Sequence, residues 1–417
     1  MKFLLPPGDD PTRELVRNWL REHPRPTGRE LALAGYVAPH WPRPWGLDAT
    51  PLVQLIIEDE LRSAGIEMPD NPIGIGWAGP TILHAGTQEQ KERYLLPLLS
   101  GEEIWCQLFS EPEAGSDLAN LGTRARREGD SYIVNGRKIW TSYAHLASFG
   151  ILLARTNVDL PKHKGITYLI CPMDAPGVTV RPIKDMASLT NFNEVFLDDV
   201  IIPVENRVGE ENEGWSLAKV TLANERVSLS REGALWGAGP TAADLVQIAK
   251  DKGGMTDVHL KQRLVQLYIE GEILEMIRQR MLNAAIKGIP PGPEASIRKA
   301  LADKHGQDVM GLAKDMAGTA GMLSTVGPSG EVRSERGTNT AYSRAMFPPR
   351  EEAKQWPEEF WAFGYLFAPA LTIGGGTAEV QRNIIAERLL GLPRDIDPEI
   401  GKSWMEASRN RPSTRNF

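Results

Sequence analysis

Residues that build disulfide networks and metal centres are scarce in this sequence. Two cysteines, Cys106 and Cys171, occur among 417 residues, so a disulfide framework is not needed and the ligand spacing of a cysteine metal site is missing. The seven histidines are scattered without a His-x-x-x-His pair, which favours structural or surface positions over metal binding. We therefore predict no metal site, and we take the cytoplasm as the default location.

Long apolar runs and an excess of basic charge are also missing. No segment reaches about 18 uninterrupted apolar residues, so we predict no membrane span. The amino-terminal stretch MKFLLPPGDD lacks the apolar core of a secretory signal. Lysine and arginine number 47 against 54 acidic residues, which gives a net charge of −7. That balance argues against a general nucleic-acid binder, whose binding face needs a basic excess.

Glycine motifs that bind nucleotides do not occur in the right context. Neither GxGxxG nor GxxxxGK[ST] follows a predicted strand and opens a helix, which disfavours a Rossmann or P-loop site. The material of a globular core is plentiful, with 41% hydrophobic and 24% charged residues. At roughly 100–200 residues per domain, the length indicates about two to four domains.

The first hundred residues have helical periodicity. Thr87 and Gln90 have the spacing of a capping box, in which each side chain binds a main-chain N–H at the start of a helix. Leucines then lie on one face, and Gly101 follows as a stop signal. The pattern predicts a helix that begins after Thr87 and ends before Gly101.

Between Trp105 and Pro203 the pattern changes to short β-rich runs. Residues 130–134 and 137–140 flank Asn135-Gly136, a pair that tolerates the positive φ angles of a type I′ turn, so we predict a hairpin there. Roughly six strands in about 100 residues predict a barrel or a sandwich. The further strands are expected at 149–156, 166–171, 177–183 and 194–202.

From Gly214 to Leu392 the helical period returns. Its longest run, residues 259–282, predicts a helix with one apolar face that packs in a bundle. The residues predicted for that face are Leu264, Leu267, Tyr268, Ile273, Leu274 and Ile277. A long loop at 324–357, rich in proline, glycine and charge, is compatible with disorder, a lid or a partner contact.

The sequence as a whole predicts an α+β multidomain fold. We expect an N-terminal α-helical domain at 1–104, a middle β-barrel domain at 105–208 and a C-terminal α-helical bundle at 209–417. No internal repeat at a fixed period is evident, so a solenoid is not expected.

The loop from Gln107 to Asp117, QLFSEPEAGSD, carries the first motif that suggests chemistry. Pro112 and Gly115 let the chain turn, which brings main-chain amides and the hydroxyls of Ser110 and Ser116 towards a polar ligand. Taken alone, such a loop is equally typical of a surface turn.

The second motif, Trp140-Thr141-Ser142, follows at the end of the predicted hairpin. A tryptophan offers a flat apolar face, and a neighbouring hydroxyl can donate to an acceptor whose charge changes on reduction. By itself, Trp140 is also compatible with a buried aromatic residue of a strand.

Together the two motifs resemble the FAD signature of acyl-CoA dehydrogenases, which is written with SEPxAGSD and a W-T-S run. The resemblance implies FAD as the cofactor and a middle β domain as the flavin platform. It extends over GWAGPTILHAGTQEQKERYLL in the first half and QRNIIAERLLGLPRD near the end. The cofactor contacts implied in this part of the chain are Gln107, Phe109, Ser110, Ser116, Trp140, Thr141 and Ser142.

The carboxyl-terminal run LTIGGGTAEVQRNIIAER resembles the last signature of the family. In many members this loop reads Tyr-Glu-Gly-Thr and its glutamate is the catalytic base, but the matching position here is Gly375. The resemblance still implies that Gly375, Gly376, Thr377 and Glu379 contact the flavin, and that Gly375 contacts the thioester.

An actinobacterial-type branch of the family places the base on the helix after the β domain, in a sequence like x-E-R. Glu225-Arg226 matches that pattern, so a glycine stands where one base would be and a glutamate where the other would be. We therefore predict Glu225 as the base, with Arg226 and Ser116 near the acyl-CoA. A Glu-Arg pair on a helix is otherwise a common solvated pair.

The reaction implied by the resemblance is α,β-dehydrogenation of an acyl-CoA thioester to the trans-2-enoyl-CoA. A proton α to a thioester carbonyl is a weak acid, so a base must lie within hydrogen-bond reach while donors polarise the carbonyl. Glu225 takes the α-proton, the flavin takes the β-hydride, and an electron-transferring flavoprotein is the expected acceptor. Because Gly375 has no side chain, we expect room for a long, branched or cyclic acyl group.

Three departures from the family pattern leave alternatives open. Glu113 adds a negative charge beside the expected flavin site, and Tyr143 stands where small residues are usual. The Arg-x-x-Phe-Gly motif, through which a neighbouring subunit contacts FAD, is missing from the region between 253 and 266. The expected homodimer or homotetramer therefore competes with a non-catalytic or half-site subunit of a hetero-oligomer. An acyl-CoA oxidase or flavin monooxygenase on the same fold is the third interpretation.

Overall fold

The computed structural model describes residues 10–187, 190–229, 241–289, 292, 294–322 and 359–409. Its contacts divide the chain into two compact units. The helical unit contains residues 225–394 with the segment 184–190, and the sheet unit contains the described residues of 4–183, 191–224 and 395–417. These units do not test the domain bounds 1–104, 105–208 and 209–417, which stay a prediction.

Among the described residues of the sheet unit, five α-helices precede the sheet. The last of them confirms the predicted capping box, because Thr87 accepts the Gln90 N–H while the Gln90 side chain accepts the Thr87 N–H. Gly101 then ends that helix in the left-handed conformation, at φ 77°. The five are α1 (Pro11–Glu22), α2 (Gly28–Leu33), α3 (Pro51–Ser63), α4 (Gly79–Ala85) and α5 (Gln88–Ser100).

An eight-stranded sheet follows, and its later strands confirm the four predicted runs. The strands are β1 (Trp105–Leu108), β2 (Arg124–Glu128), β3 (Ser131–Ser142), β4 (Phe149–Arg155), β5 (Ile166–Pro172), β6 (Val178–Ile183), β7 (Phe192–Pro203) and β8 (Arg207–Val208). They run in the order β6-β7-β3-β2-β4-β5-β8, and β1 pairs with β4 in parallel. Side chains from β1–β5 and β7 meet in one buried cluster, so the sheet curls around its own core.

The other face of the sheet packs on helices. Ile151 and Leu153 of β4 share a buried cluster with Leu95 and Leu98 of α5, whereas their neighbour Leu152 points into the core enclosed by the sheet. Successive side chains of a strand point to opposite faces, so β4 is apolar throughout because both of its faces are covered.

The hairpin predicted at Asn135-Gly136 is wrong. β3 runs without a turn from Ser131 to Ser142, and its connection to β2 lies earlier, at Gly129, where φ is 57°. Glu128 pairs directly with Ser131. Gly129-Asp130 therefore makes the turn that the sequence pattern predicted six residues later, at Asn135-Gly136.

Asn135-Gly136 instead forms a bulge between β3 and β7. The register shifts between Val134 and Gly136, and the Asn135 amide exchanges two hydrogen bonds with Asp199 of β7, at 2.8 and 2.9 Å. A Cβ at position 136 would lie 2.3 Å from Thr123 Oγ1, so the glycine lets β3 approach the residue that precedes β2. The same two residues that favour a tight turn also suit a bulge.

The helical unit packs its helices around a separate core, formed by residues such as Leu245, Leu267, Leu312 and Trp361. Its elements are the end of α6 (Gly214–Leu229), then α7 (Ala242–Asp251), α8 (Val258–Ile286), α9 (Glu294–Met316), α10 (Glu359–Phe367) and α11 (Ala378–Ile384). A short helix α12 (Trp404–Arg409) returns to the sheet unit.

The long helix α8 confirms the run predicted at 259–282, but its apolar face is narrower than expected. Leu264, Leu267 and Leu274 are buried, whereas Tyr268 and Ile273 are 40% and 42% exposed. Positions one residue away from the buried leucines point about 100° around the helix. The predicted loop at 324–357 lies outside the described residues. Among the helices described, none is long and apolar enough to cross a membrane.

Candidate functional site

The loop after β1 is tied to β3 by a buried lysine. Lys138 is fully buried, and its Nζ donates to the carbonyls of Phe109 at 3.1 Å and Leu153 at 2.9 Å. The third acceptor of Nζ is Glu111 Oε1, at 2.7 Å. The Ile139 N–H also donates to the Ser110 carbonyl, at 2.9 Å. The two sequence motifs therefore form one structural block.

Glu111 is the carboxylate at the centre of this block. Its oxygens accept the main-chain N–H groups of Gly122 at 2.7 Å and Thr123 at 3.0 Å, in addition to Lys138. Burial opposes ionisation of Glu111, but the Lys138 ammonium and these donors outweigh it, so its pKa is lowered. Burial also lowers the pKa of Lys138, against the attraction of Glu111. The ion pair joins a fully buried lysine to a carboxylate whose side chain is 10% exposed, and it fixes the turn.

Sequence reasoning missed both members of this pair as functional residues. A usable signal was present, because Lys138 falls on an inward position of a strand whose alternate residues, such as Tyr132 and Val134, are apolar. A lysine at such a position needs a buried acid, and the nearby motif supplies one.

The predicted contacts on the first motif lie in different environments. Gln107 and Ser110 are half-buried, and Ser116 is exposed. The Phe109 ring is buried edge-on against the Tyr168 ring, with 6.0 Å between the ring centroids. The Phe109 side chain therefore packs in the core. The hydroxyls of Ser110 and Ser116 remain accessible to a ligand.

The second motif is a strained bulge at the end of β3. Trp140 has φ 60° and Tyr143 has φ 62°, a conformation that costs about 1–3 kcal/mol for residues other than glycine. The register with β7 shifts between Lys138 and Thr141. The strain at Tyr143 gives a physical reason for small residues at that position, because glycine adopts it freely.

The bulge presents the groups expected of a flavin platform. The Trp140 ring is 56% exposed although it belongs to a sheet, and it contacts Phe192 edge-on, with 6.0 Å between centroids. The Thr141 hydroxyl is buried, and it has no hydrogen-bond partner among the residues that the structure describes. Ser142 is half-buried beside it. An exposed flat ring next to an unsatisfied buried hydroxyl fits a planar polar ligand such as an isoalloxazine.

Glu225 lies near the end of α6, in the helical unit, and is 8% exposed. Its Oε1 accepts a hydrogen bond from the Gly375 N–H at 2.9 Å, although the two residues are 150 positions apart. The structure thus brings the predicted base to the backbone of the residue that stands where many relatives would carry theirs. The side chain of Arg226 lies outside the described residues.

The glycine loop that meets Glu225 is held in place by Gln381 of α11. Gln381 is fully buried, and its Nε2 donates to the carbonyls of Gly375 at 3.0 Å and Gly376 at 3.2 Å. Both glycines have positive φ angles, 69° and 90°, and a Cβ on Gly376 would lie 2.8 Å from Gln381 Nε2. These glycines are required by the turn, and Gln381 is a third residue that sequence reasoning missed.

The remaining predicted residues flank this loop. Thr377 caps α11 by accepting the Val380 N–H at 3.3 Å. Glu379 is exposed and lies 3.8 Å from Arg382, one turn further along α11. The structure thus gathers the predicted residues into two groups, the bulge and its loop in the sheet unit and Glu225 with the glycine loop in the helical unit.

Comparison with known proteins identifies the family of the chain. Residues 10–102, 106–200 and 212–390 match models described as the N-terminal, middle and C-terminal domains of acyl-CoA dehydrogenases. The acyl-CoA dehydrogenase FadE34 of Mycobacterium tuberculosis is 40% identical over 368 residues, which cover 88% of this chain and 46% of FadE34. This chain therefore spans about half the length of that relative.

Two solved structures resemble the whole chain. The ChsE4-ChsE5 complex from Mycobacterium tuberculosis has a TM-score of 0.71 at 30% identity, with 95% of this chain and 100% of that chain covered. The Tcur3481-Tcur3483 steroid ACAD has a TM-score of 0.68 at 30% identity, with 93% and 90% covered. On the order of its three domains and on these similarities, the chain belongs to the acyl-CoA dehydrogenase family.

Proposed function

We propose that this chain catalyses the FAD-dependent α,β-dehydrogenation of an acyl-CoA thioester to the trans-2-enoyl-CoA, with Glu225 as the base. The contact between Glu225 Oε1 and the Gly375 N–H, at 2.9 Å, carries the proposal. It is the contact expected if the base has moved from the loop to the helix while its carboxylate keeps the same working position.

The surroundings of Glu225 suit proton abstraction. The carboxylate is 8% exposed, so little water competes with the substrate carbon for it. The hydrogen bond from Gly375 comes from a neutral main-chain amide, which leaves the carboxylate able to accept a proton. The other main-chain N–H groups of this glycine loop are suitable donors to a thioester carbonyl oxygen, whose charge grows as the α-proton leaves.

Rigid support matters for such a donor. Gln381 donates to the carbonyls of Gly375 and Gly376, and this fixes the direction of the two peptide groups that follow these residues. A donor that does not need to reorganise stabilises developing charge more than a mobile one does.

The residues that would hold the flavin are Trp140, Thr141 and Ser142 on the bulge, with Ser110 and Ser116 on the preceding loop. When bound, FAD supplies the acceptor for the β-hydride. The Trp140 ring offers a stacking face, and the hydroxyls of Thr141 and Ser142 offer donors to ring acceptors. Gln107, Phe109, Gly376, Thr377 and Glu379 complete the contacts that the family resemblance implies.

The acyl group, the electron acceptor and the assembly are further parts of the proposal. Gly375 leaves no side chain at the predicted thioester contact, and one similar structure is a steroid ACAD, so we favour a bulky or cyclic acyl chain, including a steroid-like one. We expect an electron-transferring flavoprotein as the acceptor. The second similar structure is a complex of two differently named chains, which favours a hetero-oligomer over a homo-oligomer.

The test of the base is Glu225→Gln, with anaerobic reduction of bound flavin by a panel of acyl-CoA thioesters as the readout. We expect unchanged flavin content and a reduction rate lowered about 10²–10⁴-fold, the usual contribution of a general base. Asp251→Asn removes an exposed carboxylate from the same unit and should leave the rate unchanged.

Other outcomes of this experiment point to the other interpretations. Bleaching of the flavin at an unchanged rate in the Glu225→Gln variant would remove Glu225 from the mechanism. A colourless protein that takes up flavin only with a second chain would favour the half-site subunit. Oxygen consumption without an added acceptor would favour an oxidase or monooxygenase.

A further inference from the structure

The strained bulge at Trp140–Tyr143 is held from the neighbouring strand by Asn193 of β7. Asn193 is fully buried, and its Nδ2 donates to the Thr141 carbonyl at 3.0 Å and to the Asn191 carbonyl at 3.3 Å. Thr141 and Asn193 are also directly paired in the ladder, at the first position after the register shift. The amide therefore binds the bulge where regular pairing resumes.

The two carbonyls determine which way the amide faces. A carbonyl only accepts, so the NH₂ group must be the one that points at Thr141 and Asn191. His145 Nδ1 lies 3.1 Å from the same Nδ2, whose two hydrogens point at the carbonyls, so a hydrogen on Nδ1 would clash with the NH₂ group and the neutral imidazole carries its proton on Nε2. Burial lowers the pKa of His145, which agrees with the neutral form.

The buried side-chain amide of Asn193 costs folding free energy that an apolar side chain would not. Asn193 Oδ1 is buried and has no hydrogen-bond partner among the described residues. A leucine has nearly the same shape and leaves no such oxygen. The asparagine is therefore best explained by its two donors, which hold a backbone conformation that a regular strand would not adopt.

Loss of those donors would let β3 relax towards continuous pairing. A shift of one residue along a strand moves each side chain to the opposite face of the sheet. Such a shift would turn the exposed Trp140 ring and the Ser142 hydroxyl away from their present positions. The platform thus depends on a side chain that is itself buried behind it.

We infer that Asn193 is a positioning residue for the flavin, acting through the Thr141 carbonyl and supported by His145. This inference rests on the proposed flavin site. It assigns to Asn193 a role in binding and tuning the cofactor rather than in contacting the substrate.

The test is Asn193→Leu, measured by the dissociation constant for FAD, the visible spectrum of the bound flavin and its reduction potential. We expect FAD binding to weaken about tenfold or more, since two donors are lost, and both the spectrum and the potential to shift. The matched control is Asn135→Leu, which removes an asparagine that bridges β3 and β7 at their other bulge. That variant should bind FAD with wild-type affinity, spectrum and potential.

The results separate this inference from the function on which it rests. A wild-type protein that takes up no FAD overturns both. A wild-type protein that binds FAD, together with an Asn193→Leu variant of unchanged affinity, spectrum and potential, overturns the positioning role alone. If the leucine variant does not fold, Asn193→Thr removes one donor and should shift the same three quantities in the same direction. An unchanged threonine variant would then reject the role.

Discussion

Two carboxylates with little exposure, Glu111 in the sheet unit and Glu225 in the helical unit, are held in different ways. Glu111 accepts from a buried ammonium and two main-chain amides, all within 2.7–3.0 Å. The partner that the structure shows at Glu225 Oε1 is the neutral N–H of Gly375. The first arrangement keeps a negative charge ionised, whereas the contact shown at Glu225 comes from a neutral donor.

The difference teaches how the chemistry of one residue type depends on its partners. Glu111 has a structural role, because its ionised carboxylate accepts three strong hydrogen bonds that protonation would weaken at once. A carboxylate held by an amide can change protonation state while the loop stays in place. Lys138 holds Glu111 in the sheet unit, and Gln381 holds the glycine loop beside Glu225 in the helical unit. Substitution of each residue tests its contribution.

Replacing Lys138 with methionine should have the largest effect. It leaves Glu111 buried without its cation, which typically costs about 3–5 kcal/mol, and it also removes a donor from two buried carbonyls. We expect a lower midpoint of urea unfolding and weaker FAD uptake. Lys164→Met, which removes an exposed partner of Glu213, should cost about 1 kcal/mol or less.

A double variant sharpens this prediction. Lys138→Met combined with Glu111→Gln removes both charges, so it should recover part of the stability lost in the single variant. A double variant as unstable as the sum of the two single variants would show that the ion pair is not the anchor we describe.

Replacing Gln381 with methionine should have an intermediate effect. The carbonyls of Gly375 and Gly376 lose a buried donor, at a cost of about 1–3 kcal/mol. Because the loop carries the proposed carbonyl donor, the rate of flavin reduction should fall more than substrate binding does. Gln247→Met removes an exposed glutamine of the same unit and serves as the control. If Gln381→Met and Gln247→Met lowered the rate of flavin reduction equally, Gln381 would not be the residue that holds the glycine loop.

The smallest effect concerns the pH dependence of stability, whose sign should differ between the units. The pKa of Glu111 is lowered in the folded state, so its contribution is present above the unfolded pKa and is lost as pH falls through the folded value. Burial raises the pKa of Asp303, on α9, to about 6 from its ordinary 3.8, although Lys299 lies 2.5 Å away. The folded state then holds the extra proton, so this contribution decreases as pH rises from about 4 to about 6.

Urea unfolding of single variants between about pH 3 and 7 tests these opposite signs, because the lowered pKa of Glu111 lies below its ordinary 4.5. In Glu111→Gln the free energy of unfolding should fall less steeply as the pH is lowered. In Asp303→Asn it should no longer decrease as the pH rises towards about 6. Asp308→Asn changes an exposed carboxylate on the same helix, where it pairs with Lys304, and should leave the profile unchanged. Profiles that respond alike to Glu111→Gln and Asp303→Asn would contradict the assignment.

Local patterns predicted the elements well, and they failed where one pattern fits two structures. The capping box at Thr87, the long helix α8 and the strands after β3 all depend on residues close together in sequence. Asn135-Gly136 was placed in a turn because positive φ angles suit both a turn and a bulge, and only the pairing partner Asp199 decides between them.

The sequence by itself determined the family, and it supplied the predictions of a flavin site and of Glu225 as the base, because each depends on residue types at short spacing. Only the tertiary structure decided how those motifs are supported. Lys138 meets Glu111, Asn193 meets Thr141, and Glu225 meets Gly375 across 27, 52 and 150 positions. Hydrogen bonds over such separations follow from how strands and helices pack, which no local pattern encodes.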